Sequence, residues 1–496
     1  MKHFNSATVD PTKLDDWESY YLYNGLDTTL THEVFSALQN EAVTTTYAPH
    51  VYDFSRSLLG PVMTMMRRGV LVDWEAAVAA VEAPGGLDDR LRFLHSTLDE
   101  FAMVVWGKKL NPNSYPQMKQ FFYTELAIPP ITSSKKGQVK VSIDRDALEN
   151  IAKNYVRGRP FANLILRIRD LAKQRDTLTK GLDDDQRWRC SFNIGGTETG
   201  RFSSSSSPFR TGSNLQNIDP SLRNIFIADK GYRLAYVDLQ AAEARAVAYL
   251  SGDEAYIEAV ESSDCHTLVA SLVFSIPAER KEAEKLFYRE FSYRDMAKRG
   301  SHGSNYFGTP QTMARHLKIE TSVMERFQDA YFKRFPGIRR WHERVAQDLQ
   351  STGLLATPTG RVRHFWSRLR DDATLREAIA FVPQSLIADI LNRGLLQLWL
   401  DLEPRVQCLA QVHDAVLLQI PDDDSFDTTL KEVQQRLTIT LPITDINGIT
   451  RDMMIPCDAE VGYNWGKYVP RPCDPGYDPE KHKVPNPNGL KKWSPR

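Results

Sequence analysis

The sequence predicts an α+β protein, and three observations carry that expectation. Apolar runs of strand character occupy 232–239 (YRLAYVDL) and flank His413-Asp414 within 404–421 (PRVQCLAQVHDAVLLQIP). The stretch between them, 253–380, is largely helical in pattern, punctuated by Pro277, Pro310, Pro336 and Pro358. Strands thus gather apart from helices instead of alternating with them. The 496 residues suit about three or four domains. A composition of 42% hydrophobic and 25% charged residues, with 27 Gly and 27 Pro, excludes collagenous, wholly disordered and membrane-spanning classes. No apolar run approaches the roughly 18 residues a spanning helix needs, so no membrane partner is expected. The start, MKHFNSATVD, has no charged and apolar leader pattern, which makes the cytoplasm the expected location. Cys190, Cys265, Cys408, Cys457 and Cys473 are scattered and never spaced C-x-x-C, so reduced, mostly buried thiols are expected rather than disulfides or zinc.

The formal net charge of −1 conceals local imbalance. Residues 1–60 carry eight acidic side chains against three basic ones, whereas 153–180, ending at Lys180, carries eight basic against two acidic. A further basic cluster is Lys333, Arg334, Arg339, Arg340 and Arg344. Such runs are either solvated helix faces or phosphate-contacting surfaces.

Residues 54–83 read as helix, a turn at Gly69, a short extended VLVD and a second helix. Ser114 is a candidate helix cap, and 145–182 is a long basic amphipathic pattern. The Ser-, Gly- and Thr-rich 191–218 has the composition of a linker, yet Arg201, Phe209, Arg210 and the NLQNI that follows are too specific for a spacer. We read it as an ordered, functional loop. Asp238 lies near the carboxyl end of a strand, and a helix begins just after it (AAEARAVAYLSG). Asp414 occupies the tip of a hairpin. Residues 470–496, with seven Pro and two Gly, read as an irregular tail.

Asp238 and Asp414 are each unremarkable as turn residues, but their surroundings raise them. Glu243 and Arg245 follow Asp238 on the next helix, and His413 precedes Asp414 within an apolar hairpin, where an unpaired carboxylate is costly. Two Mg²⁺ about 3.5–4 Å apart would be the natural counter-charge, a geometry suited to nucleotidyl transfer. In YRDMAKRGSHGSNYFGTP (293–310), Arg294, Lys298, His302 and Tyr306 recur every four residues and share one face if helical. Arg and Lys one turn apart can grip adjacent phosphates. Gly300, Gly303 and Gly308 each weaken a helix by roughly 1 kcal/mol, but glycine also lets a nucleotide approach the backbone closely.

These residues fall into ordered motifs that resemble family A DNA polymerases, the class of bacterial DNA polymerase I and its bacteriophage relatives. The motifs are TETGRFSSSSSP…NLQNI, VDLQAAEARAVAYLSGD, DCHT at 264–267, RDMAKRGSHGSNYFG, REAIAFVPQSLIADIL at 376–391 and QVHDAV. The resemblance implies a right-hand fold with an antiparallel-sheet palm at 191–252 and 385–470. A helical thumb would span 61–190 and helical fingers 253–384, leaving 471–496 as a tail. It implies DNA-templated extension of a primer with dNTPs and release of pyrophosphate, in a bacterial or phage-infected cytoplasm. Asp238 and Asp414, with the Leu239 carbonyl, would hold two Mg²⁺, for which Mn²⁺ could substitute. Arg294, Lys298 and His266 would contact nucleotide phosphates, with Lys298 also protonating the leaving group. Glu243 would block the ribose 2′ position, His302 would face the sugar, and Tyr306 would stack near the templating base. Arg201, Arg376 and Gln384 would read the minor groove, His413 would lie near the primer terminus, and Arg245 would contact DNA.

Departures from the family pattern are also informative. His302 stands where the family usually has Phe or Tyr, Gln240 where it has Ser, Ala415 where a carboxylate follows the catalytic Asp, and Ala380 where it has Asn. YNGLDTTLTHEVF (23–35) resembles the last motif of the family's 3′-to-5′ exonuclease domain through Tyr23 and Asp27, but no earlier nuclease motif is present. Residues 1–60 therefore read as a remnant, and proofreading is not expected from this chain alone. A separate exonuclease subunit, as in a split phage polymerase, and a processivity factor such as a clamp or thioredoxin-like protein are partners left open. The rivals are a catalytically idle nucleic-acid-binding scaffold, suggested by Ala415 and the short front, and a single-subunit RNA polymerase, which Glu243 disfavours.

Overall fold

The computed structural model describes residues 15–44, 49–135, 138–179, 182–209, 211–475, 477–479, 482 and 484–494. Lys180, Arg210 and the acidic and basic side chains of the first fourteen residues lie outside them. The chain divides into two compact units, one of residues 1–58, 246–386 and 442–451, the other of residues 59–245, 387–441 and 452–496.

The second unit is built on a five-stranded antiparallel sheet. Its strands are β1 (Tyr232–Leu239), β2 (Gln407–Val412), β3 (Ala415–Pro421), β4 (Cys457–Gly462) and β5 (Lys491–Lys492), in the order β2-β3-β1-β4-β5. β3 is buried along nearly its whole length, which explains its continuous apolar run where a half-exposed strand would alternate. The helix Phe426–Leu437 packs against β3 and β4, burying Phe426, Leu430, Val433 and Leu437. Their three- and four-residue spacing gives that helix its apolar stripe.

Two expectations about this unit need correction. The stretch 471–496 is not simply an irregular tail: Lys491 and Lys492 pair with Val461 and Glu460 to close one edge of the sheet, and Trp493 donates its indole N–H to Asp427 Oδ1 at 2.9 Å. Ser114 occupies the N-cap of the helix Tyr115–Lys119, but its side chain makes no capping hydrogen bond.

The serine run proves to be structure. Ser203–Ser206 form a strand antiparallel to Cys190–Asn193, and the Ser204 hydroxyl donates to Asn214 Oδ1 at 2.5 Å. Its composition is that of a linker, but paired backbone groups across the hairpin and the Ser204 bond to the segment that follows hold it in place. Near the amino end of the same unit, the helices Leu87–Trp106 and Arg145–Asn154 both pack on the basic helix Arg159–Leu178.

The first unit is mainly helical. The helices Cys265–Phe274, Tyr293–Asn305 and Thr321–Arg334 pack on one another. A Cβ at Gly300 would meet Phe327 Cε1 at 2.3 Å, and one at Gly303 would meet Met313 Cε at 2.6 Å. These glycines therefore serve close packing within the protein, not the approach of a ligand that the sequence suggested. The same unit holds the long helix Asp16–Thr44, on which Tyr23 and Asp27 are both exposed one turn apart.

No described helix is long and apolar enough to cross a membrane. Four of the cysteines are buried, Cys473 is exposed, and all five are unpaired as disulfides.

Candidate active site

The sheet order explains how two aspartates 176 positions apart meet. β3 lies beside β1 with Ala415 opposite Asp238, and Leu239 N–H donates to the Asp414 carbonyl at 3.1 Å. His413, at the turn, has φ 56°, the left-handed region that closes this two-residue hairpin. The Asp414 side chain is thereby brought to the edge of β1 beside Asp238.

On the opposite side, β4 places Asp458 in register with Asp238 and Glu460 with Tyr236. Directly opposed residues share a face of the sheet, so Asp458 crowds Asp238 from the side where no motif announced a carboxylate. The Asp238 side chain opens to solvent, yet the surrounding protein strips much of its hydration. That desolvation, followed by the charges of Asp414, Asp458 and Glu460, pushes its carboxyl up to about 7.

Cations of the same unit answer part of this charge, Lys492 pairing with Asp458 at 3.4 Å and Arg201 with the acidic groups nearer the turn. Arg201 Nη2 donates to Glu243 Oε1 at 3.0 Å and to Asp414 Oδ1 at 3.3 Å, linking the Ser-rich hairpin, the helix after β1 and the β2–β3 turn. A raised carboxyl among like charges is the electrostatic pattern that a bound cation relieves, so the residues present fit a divalent ion. Among the described residues no three His, Cys, Asp or Glu side chains converge as a preformed cage.

Arg245 is the residue whose expected role fails. It is only 4% exposed, and its Nη1 donates to the Met454 carbonyl at 3.4 Å, so it braces the interior of its unit instead of presenting its guanidinium at the surface.

The first unit contains the row of residues that the four-residue spacing singled out. On the helix Tyr293–Asn305, opened by a Ser292–Asp295 capping box, lie Arg294, Lys298 and His302, with Tyr306 at its C-cap. His302 and Tyr306 meet edge to face, ring centroids 5.2 Å apart. Lys298 and His302 are exposed.

Against this face lies the start of the helix Cys265–Phe274. Its N-cap is Asp264, which accepts from Thr267 N–H at 3.2 Å and from Arg294 Nη2 at 3.0 Å. Burial tends to raise Asp264, but the hydrogen bonds from Arg294 and Thr267 outweigh it and hold the carboxyl at about 2. His266 moves the other way. Desolvation, then Arg294 and Lys298, lower it to about 4, so its imidazole is neutral near pH 7. Burial does most of this, and Arg294 and Lys298 add to it as neighbouring cations. Arg376 and Gln384, which fall in the same unit, are partly buried on the helix Asp372–Leu402, two turns apart and so close to one face.

Sequence reasoning passed over Asp264 and Asp458. Asp264 carried a local signal, an Asp immediately before a helix, two residues before His266. Asp458 carried none, because only the sheet register sets it beside Asp238.

With this geometry in place, comparison with known proteins decides the family. The model of DNA polymerase family A matches residues 87–467. The chain belongs to that family. It is 30% identical over 427 residues to DNA polymerase I of Mycobacterium bovis, an alignment spanning 82% of this chain and 44% of that protein. It is likewise 30% identical over 369 residues to the thermostable DNA polymerase I of Thermus aquaticus, spanning 70% of this chain and 42% of that one. The chain thus spans less than half the length of these curated relatives. Among solved structures it resembles the POL domain of Pol1 from M. smegmatis in complex with DNA primer-template and dNTP, with a TM-score of 0.67 and 26% identity, covering 82% of this chain and 69% of that one. The fold is therefore the α+β right-hand fold of family A polymerase domains.

Proposed function

We propose that this chain is a DNA-templated DNA polymerase that extends a primer 3′-hydroxyl with dNTPs and releases pyrophosphate. The observation that carries the reading is the convergence of Asp238 and Asp414 on adjacent strands, with Asp238 pushed up to about 7 by desolvation and its acidic neighbours. Asp238 and Asp414, with the Leu239 carbonyl, would hold two Mg²⁺, which when bound supply activation of the primer hydroxyl and neutralisation of the triphosphate.

The chain's own residues do the positioning. Arg201 ties Asp414 to Glu243, fixing the carboxylate that faces the reacting atoms and the side chain that excludes a ribose 2′-hydroxyl. Arg294, Lys298 and neutral His266 would grip the triphosphate, with Arg294 passing from Asp264 to phosphate as the nucleotide enters. Lys298, exposed on the same helix face, would donate a proton to the departing pyrophosphate. His302 and Tyr306 would face sugar and base, and Arg376 and Gln384 would follow the minor groove, where a degenerate donor and acceptor pattern suits sequence-independent checking. His413, exposed at the hairpin tip, would lie near the primer terminus.

Tyr23 and Asp27 have no second nuclease motif in the sequence to join, so proofreading is not part of this reading. The test is primer extension on a primed template, comparing dNTPs with rNTPs and the wild type with Asp414→Ala. Extension by the wild type with dNTPs, lost in the variant, is expected. Absence of extension by the wild type, or undiminished extension by the variant, refutes it.

A further inference from the structure

Residues 361–370 read RVRHFWSRLR, with four arginines, a histidine, two aromatics and no acidic residue, in a chain whose net charge is −1. The segment forms the second strand of an antiparallel hairpin, Val362–His364 paired with Leu354–Ala356, and the turn after it. Phe365 anchors it, 7% exposed and edge-on to Phe381 of the helix Asp372–Leu402 at 6.3 Å. Arg363 locks that anchor, its guanidinium 4.4 Å from the Phe365 ring centroid and paired with Glu377 at 2.9 Å.

Trp366 is turned the other way. It is 91% exposed, and its ring stacks with that of His364, 13° from parallel with centroids 5.5 Å apart. Arg368 and Arg370 are exposed beside it. An isolated exposed apolar side chain needs no explanation. An exposed indole next in sequence to that buried anchor, pre-stacked on an imidazole and followed by exposed arginines, combines the two elements that bind single strands, a π-face for a base and cations for its phosphates.

We propose that this hairpin is a stacking platform for unpaired bases of the template strand. Trp366 and His364 receive a base, and Arg368 and Arg370 hold the adjoining phosphates. Phe365 and Arg363 seat the hairpin on Phe381 and Glu377, which lie on the same helix as Arg376 and Gln384. Because every base has a π-face, the platform is indifferent to sequence, as a template contact must be. The identification of the strand as template rests on the polymerase reading; the affinity for single-stranded DNA does not.

The experiment measures fluorescence anisotropy of the full chain with two labelled DNAs, a primer–template bearing a 5′ overhang on the order of ten nucleotides, within the span such sites cover, and the same duplex made blunt. Trp366→Ala should weaken binding to the overhang substrate by about tenfold and leave the blunt duplex within about twofold, while Trp366→Phe retains most of the affinity. The Arg368→Ala/Arg370→Ala double variant should flatten the salt dependence for the overhang substrate, by roughly 0.7 in log–log slope per phosphate lost. Equal losses on both DNAs, or a loss that phenylalanine does not restore, overturn the platform. A wild type that binds the overhang in this Trp366-dependent way yet extends no primer sinks the polymerase reading and leaves the platform standing.

Discussion

Replacing Asp238 with Asn should make the metal-free protein more stable at neutral pH. An ordinary aspartate titrates near 3.8, whereas Asp238 is pushed up to about 7. A carboxyl raised in the folded state costs no stability below its unfolded value; the cost grows as pH rises from about 4 and levels off above about 7. Each pH unit in that window is worth about 1.4 kcal/mol, which sets a ceiling near 4 kcal/mol. Solvent reaches the side chain, and screening reduces the realised value to about 1–2 kcal/mol. Asn cannot ionise, so Asp238→Asn should raise the calorimetric midpoint at pH 8 by about 2 °C, and at pH 5 by about a third of that. Adding millimolar Mg²⁺ should stabilise the wild type and narrow or reverse the gap. A variant no more stable than the wild type at pH 8, or an advantage that does not grow between pH 5 and pH 8, would refute the account of a strained acidic cluster awaiting a cation.

Asp458→Asn should show the same pH-dependent stabilisation at smaller size, roughly half or less, by calorimetry in metal-free buffer. His266 should titrate by NMR with a midpoint near 4, and Arg294→Ala should move that midpoint up towards 6.5, because a repelling cation has gone; an unmoved midpoint would show that burial alone sets it. Asp264 is held at about 2, so its carboxylate contributes stability above about pH 4 that is lost as pH falls towards 2, and Asp264→Asn should cost about 2 kcal/mol at pH 7 in denaturant titrations but little near pH 2. Gly300→Ala must push against the Phe327 ring and should destabilise by about 1–3 kcal/mol, read as a lowered denaturation midpoint. Glu243→Ala should relax the preference for dNTPs over rNTPs in primer extension by about tenfold or more.

Many of the candidate site residues of both units were legible in the sequence because their determinants are local. Arg294, Lys298, His302 and Tyr306 share a face through helical periodicity alone, and the Asp414 hairpin announced itself as two apolar runs around a polar turn. Charge and composition were poorer guides. The serine run has a spacer's composition and was expected as an ordered loop on the strength of its neighbours; it is a paired strand, because backbone hydrogen bonding across 190–206 is invisible to composition. Arg245 looked like a DNA contact and is buried on the Met454 carbonyl, since the direction a helix face points depends on what packs against it. The glycines of 300–308 signalled close approach correctly, but the approaching groups are Phe327 and Met313.

By itself, the sequence determined the fold class, the strand ends carrying Asp238 and Asp414, and the helix bearing the cationic row, since each depends on spacings of two to eight residues. Only the tertiary structure decided what surrounds them. Sheet order set Asp458 against Asp238, a hydrogen bond joined Arg201 to Asp414 across 213 positions, and helix packing gave Asp264 to Arg294. Burial, with the acidic neighbours that the sheet supplies, raises Asp238; burial, with Arg294 and Lys298, lowers His266; and the hydrogen bonds from Arg294 and Thr267 lower Asp264. A protonation state depends on charges a few ångströms away in space, and no local pattern records which distant residues the fold brings within that range.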